Sequence, residues 1–110
     1  STLAEATALG LPVVVVPYPH AAGHQRANAR VLERAGAARL VDDDRFDGAA
    51  LLAAAAILDD PAGHVAMSAA SRELGRPGAA AAVAELLLAL ATGRPLPAPA
   101  EVERRSREAA

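Results

Sequence analysis

Residues 1–36, STLAEATALGLPVVVVPYPHAAGHQRANARVLERAG, decide the fold. At their centre Val13-Val14-Val15-Val16 is an unbroken β-branched run with no polar alternation. Such a run predicts a strand buried on both faces, the habit of parallel sheets. Leu11-Pro12 leads into it in extended form, and Pro17-Tyr18-Pro19 ends it. Upstream, Thr2-Leu3-Ala4-Glu5 matches a capping box that opens a short helix, and Gly10 stops it. Downstream the period turns helical from His24. Ala27, Val31, Leu32 and Ala35 fall on the expected inner side, and Gly36 closes the helix. Ala38-Arg39-Leu40-Val41 is then a second strand candidate. Strand, helix and strand in this order predict a βαβ unit with parallel pairing.

After Gly36 the chain reads as support. Asp42-Asp43-Asp44 predicts a solvated acidic turn. A helix follows from Phe46-Asp47, with Leu51, Leu52, Ile57 and Leu58 as its apolar side. Pro61 suits a helix start, Val65 to Leu74 reads as helix, and Gly75-Arg76-Pro77-Gly78 breaks it. Val83, Leu86, Leu87 and Leu90 then form a stripe at i, i+3, i+4 and i+7. Leu96 to Ala100 reads as a proline-rich linker, and Glu101 to Ala110 as a charged tail with little to bury, helical or frayed. The expected architecture is α/β: a partial Rossmann-like unit of two short parallel strands flanked by helices, with a helical C-terminal part. Residues 1–93 form the structured portion and residues 94–110 the linker and tail. Two strands make a thin sheet, so further strands are expected upstream, and the chain is read as a fragment.

Composition narrows the function. The chain has 110 residues, no cysteine and a net charge of −2, and its eleven basic residues are all arginine and scattered. Thiolate metal sites and disulfides are excluded. A basic footprint for nucleic acid is missing, so no nucleic-acid partner is expected. The apolar stretch Ala79 to Ala91 is interrupted by Glu85 and falls short of the ~20 residues a membrane helix needs.

Four features carry the chemistry. The helix start at Ser1-Thr2 presents free N–H groups and a positive dipole end to an anion; an ordinary capped helix is the plain alternative. Glu5 has acceptor pairs on two oxygens, suited to a cis-diol, though it also completes the capping box. The loop from Pro17 to Gln25 leaves the carboxyl end of a buried strand, where α/β proteins seat ligands. There His24 and Gln25 occupy the first turn of the next helix, and His20 either joins the site or packs on Tyr18. Asn28 lies one turn further, on a ligand or on the preceding loop. His20 and His24 have no third ligand nearby, the aspartates around Asp44 lack the spacing of a calcium loop, and no nucleophile elbow occurs. No metal is expected.

The pattern S-T-x-x-E-x-x-x-x-G-x-P-x-x-x-V-P-Y-P-H-x-x-x-H-Q-x-x-N-A-x-x-L-x-x-x-G-A-A, densest over Ser1 to Ala38, resembles the C-terminal domain of the MurG-like glycosyltransferases, family 28, which have the two-domain GT-B fold. The resemblance implies inverting transfer of N-acetylglucosamine from UDP-N-acetylglucosamine to a lipid-linked muramyl-pentapeptide acceptor in peptidoglycan synthesis. It implies no cofactor and a cytoplasmic enzyme peripheral on the inner face of the plasma membrane. Residue by residue, it puts Glu5 on the uridine ribose, Ser1 and Thr2 near the diphosphate, and His24 and Gln25 on the N-acetylglucosamine. Asn28 and His20 match the motif without an assigned contact. No catalytic group falls in this segment, because acceptor binding and the general base belong to the family's N-terminal domain. A GT-B transferase with another acceptor, or a non-catalytic Rossmann-like fragment, shares these features.

Overall fold

The computed structural model describes residues 2–20 and 23–108. Helix α1 (Thr2–Leu9) leads to strand β1 (Val13–Val15), helix α2 (His24–Arg34) and strand β2 (Ala38–Leu40). Then come α3 (Gly48–Ala55), α4 (Pro61–Leu74), α5 (Ala79–Thr92) and α6 (Pro99–Arg107), with short 3-10 turns on either side of α3. The strands pair in parallel, Val13 opposite Ala38 and Val15 opposite Leu40. The Val41 N–H donates to the Val15 carbonyl at 3.0 Å and extends the ladder by one bond. The α/β class and the βαβ unit hold as expected.

Glycine sets the turn between α1 and β1. Gly10 has φ +69°, and its N–H donates to the Thr7 carbonyl while the Leu11 N–H donates to Ala6, both at 2.9 Å. These paired bonds satisfy the last carbonyls of α1 and turn the chain sharply toward the strand. Gly36 ends α2 by the same pairing. The core lies beneath these turns. Leu32, Ala37 and Ala38 are buried, with Leu3, Val13, Val15, Ala70 and Leu74 packed on them. Helix α4 thus lies beside α1. Buried Ser68 donates its hydroxyl to the Gly10 carbonyl at 2.7 Å, and Ser71 donates to Leu11 at 2.8 Å. Two carbonyls of the α1–β1 turn find side-chain partners in this way.

Several expected burials are corrected. The strand stops at Val15, and Val14 is 38% exposed, because the core residues pack on the face of Val13 and Val15 only. Helix α2 buries Ala29 and Leu32, not Ala27, Val31 and Ala35. Ala29 is small enough to let the helix approach closely. Helix α3 buries Ala54, while Leu51, Leu52 and Leu58 stay exposed. Helix α5 buries Ala82 and Ala89 and leaves Val83, Leu87 and Leu90 outside. The cause is shape. The body measures 56 × 35 × 18 Å with a radius of gyration of 17.1 Å, against about 13 Å for a compact chain of this length. Helices in so elongated a body meet few neighbours, and contacts go to small residues that allow close approach.

The C-terminal segment is helical from Pro99 to Arg107 and is held to α5 by polar contacts. The Gly78 N–H donates to the Ser106 carbonyl at 3.0 Å, Arg76 pairs with Glu103 at 3.0 Å, and Arg105 pairs with Glu85. The apolar run Pro61–Thr92 has the length to cross a bilayer. Residues 75–78 are non-helical, however, so it forms two separate helices.

Candidate functional site

The loop leaving β1 reaches α2 through Gly23, which has φ +76° and offers no side chain to cap the helix. His24 and Gln25 are therefore the first helical residues, as expected. Gln25 reaches back along the loop, and its Oε1 accepts the Tyr18 N–H at 3.1 Å. Tyr18 in turn holds His20, with the rings edge to face and their centroids 5.4 Å apart. His24 is exposed at the head of the helix.

A cavity of about 310 Å³ opens at the carboxyl end of β1, lined by Thr2, Leu3, Val15, Gln25 and Asn28. A second space of similar size continues it between α1 and α2. That space shares Leu3 and Asn28 and adds Ala4, Thr7, Val31 and Leu32. The first cavity brings together three residues picked out from sequence: Thr2 at the head of α1, Gln25 at the head of α2, and Asn28 one turn on. Its volume is at the lower end of the range for small-molecule sites. Glu5, His20 and His24 are not among its lining residues. Glu5 is exposed on α1, one turn beyond Thr2. Thr2 is the first helical residue of α1. Ser1 lies outside the described residues.

Sequence reasoning missed two residues beside this cavity. Arg26 and Asp42, the latter read as part of a solvated turn, form an ion pair. They line a neighbouring space of about 480 Å³ together with Pro17, Tyr18, Pro19 and Gly23. The available signal was topological. In a βαβ unit the first turn of the helix and the loop after the second strand meet at the same end of the sheet. The hydrogen bond from Arg26 holds the Asp42 carboxyl below the usual aspartate range, and Asp42 raises the Arg26 guanidinium in return. A depressed carboxylate contributes above its unfolded value and loses that contribution as pH falls through the folded one. The pair is therefore intact at neutral pH and opens only in acid. An NMR titration should find the Asp42 midpoint below the ordinary value of about 3.9. In Arg26→Ala it should rise; an unshifted midpoint in the parent protein would contradict the pairing.

Residues 1–87 match the family model described as the glycosyltransferase family 28 C-terminal domain. A relative from Desulforudis audaxviator, named UDP-N-acetylglucosamine--N-acetylmuramyl-(pentapeptide) pyrophosphoryl-undecaprenol N-acetylglucosamine transferase, is 50% identical over 93 residues, covering 83% of this chain and 25% of the relative. Proteins of the same name from Moorella thermoacetica and Rhizobium leguminosarum are 47% and 37% identical, over 80% and 94% of this chain and 24% and 28% of their own lengths. The chain thus spans about a quarter of the length of these curated relatives. No solved structure matches it. With its βαβ unit, its cavity at the strand's carboxyl end and a family match over residues 1–87, the chain belongs to the glycosyltransferase family 28 C-terminal domain family.

Proposed function

We propose that this chain is the donor-binding part of an inverting transferase that moves N-acetylglucosamine from UDP-N-acetylglucosamine to a lipid-linked muramyl-pentapeptide acceptor. The observation that carries the reading is the convergence of Thr2, Gln25 and Asn28 on one cavity at the carboxyl end of β1, in a chain whose relatives bear that transferase name. The donor-site portion falls within residues 1–93, with residues 94–110 outside it. The acceptor is held by the remainder of the protein, which also supplies the catalytic base. The enzyme works on the cytoplasmic side, at the inner face of the plasma membrane.

The chemistry fits a site that needs no metal. A helix start favours an anion by roughly 0.3–2 kcal/mol, and each hydrogen bond to a charged group adds about 1.5–3 kcal/mol. Thr2 at the head of α1 would meet the diphosphate, and Glu5 one turn on would take the ribose hydroxyls. Gln25, His24 and Asn28 would meet the sugar across the cavity. Dipole and hydrogen bonds then stabilise the charge that develops on departing UDP. His20, stacked on Tyr18, shapes the loop.

The test is transfer of labelled N-acetylglucosamine by the full-length protein to a lipid-linked muramyl-peptide analogue. Stoichiometric UDP release with an inverted anomeric product is expected. Transfer only to an unrelated acceptor would move the chain to a different GT-B transferase. Absence of both donor binding and transfer would leave a non-catalytic Rossmann-like domain.

A further inference from the structure

The start of α2 is poorly secured by its own sequence. Gly23 supplies no side-chain cap, and the first N–H groups of a helix have no intrahelical partners. Two adjacent side chains tie this turn to the neighbouring loops without capping it. Gln25 grips the upstream loop at the Tyr18 N–H, and Arg26 grips the segment after β2 at Asp42. A backbone N–H can face only an acceptor, so the Tyr18 bond fixes which end of the amide points where. The Gln25 oxygen is committed to the loop, and its nitrogen is the polar atom left for the cavity it lines with Thr2 and Asn28.

We propose that Arg26 and Asp42 are positioning residues for Gln25. Their ion pair pins the first turn of α2 between the two loops, so that Gln25 keeps its oxygen on Tyr18 and presents its nitrogen as a hydrogen-bond donor to the ligand. The group recognised there must therefore be an acceptor, such as a hydroxyl or carbonyl oxygen of the sugar. This inference rests on the donor-site reading above. Arg26 is exposed and Asp42 half-buried, so the effect of the pair is modest and depends on salt.

The experiment uses the full-length protein and compares Arg26→Glu, Asp42→Arg, the double charge swap and Gln25→Glu. Donor KM, kcat and hydrogen exchange at the Tyr18 amide are measured for each. Either single charge reversal should raise donor KM by about two- to fivefold, the scale an exposed pair supports, with kcat unchanged and Tyr18 exchange accelerated. The charge swap should restore both readouts, and about 0.5 M salt should narrow the differences. Gln25→Glu keeps an acceptor for Tyr18 but loses the donor, so KM should rise with Tyr18 exchange unchanged. Unaltered KM and exchange in both single reversals, or no rescue by the swap, would overturn the proposal. If the parent protein does not use UDP-N-acetylglucosamine, the functional reading fails. The Tyr18 exchange rates then still decide whether the ion pair holds the loop.

Discussion

If the proposed donor site is right, replacing Glu5 with alanine in the full-length protein is expected to raise the donor KM by roughly ten- to a hundredfold. A carboxylate that accepts from a ribose diol loses about 1.5–3 kcal/mol of hydrogen bonding when truncated, and each 1.4 kcal/mol is a factor of ten. The ribose sits alike in the ground and transition states, so kcat should change little. Inhibition by UDP should weaken in parallel, because UDP carries the same ribose. Glu5→Gln keeps one acceptor oxygen and should fall between the parent and Glu5→Ala. The position is demanding, because Glu5 is exposed and lies one turn beyond Thr2, outside the lining of the cavity that Thr2 shares with Gln25. A nucleotide contacting both must extend past that cavity along α1. Donor kinetics and UDP inhibition unchanged in Glu5→Ala would remove Glu5 from the site and confine the ligand to the Thr2–Gln25–Asn28 space.

The second large effect concerns packing. A Cβ at Gly75 would sit 2.6 Å from the Thr7 carbonyl oxygen and 3.0 Å from the Ala8 Cα, both backbone atoms of α1. Gly75 itself has φ −63° and ψ 148°, a conformation open to any residue, so the penalty of substitution is purely steric. Gly75→Val must push α1 away from the end of α4. Overpacking of this kind costs roughly 1–3 kcal/mol, at times more, out of a typical total of about 5–15 kcal/mol. A lower melting temperature and a weaker donor KM are expected together, since Thr2 travels with α1. Gly48→Ala is the control: nothing lies within 4 Å of its Cβ position, and its melting temperature should match the parent. Equal melting temperatures for Gly75→Val and Gly48→Ala would show that α1 and α4 are not in close contact.

The βαβ unit was legible because its signals are local. The valine run, the prolines around it and the glycines at 10 and 36 each act within a few residues, and the structure follows them. Burial was less legible. Leucines at helical spacing in α5 announce an apolar stripe, but its close contacts go to Ala82 and Ala89, and periodicity does not state which neighbours exist. The site shows the same division. Thr2, Gln25 and Asn28 meet because two helix heads flank one strand end, which the order of elements implies. The Arg26–Asp42 pair joins residues sixteen positions apart, and two ordinary charges at that separation give no local sign of meeting. Ser68 and Ser71 look like unremarkable helix residues until the backbone they serve is known.

Those two serines also bear on how the chain is made. The carbonyls they satisfy belong to Gly10 and Leu11, 58 and 60 residues earlier in the sequence. At a synthesis rate of about 5–20 residues per second, the bend between the first helix and the first strand waits several seconds for its hydroxyl partners to be translated. That bend is thus synthesised well before the helix that completes it, and during the interval it must rely on solvent for the bonds that α4 eventually provides.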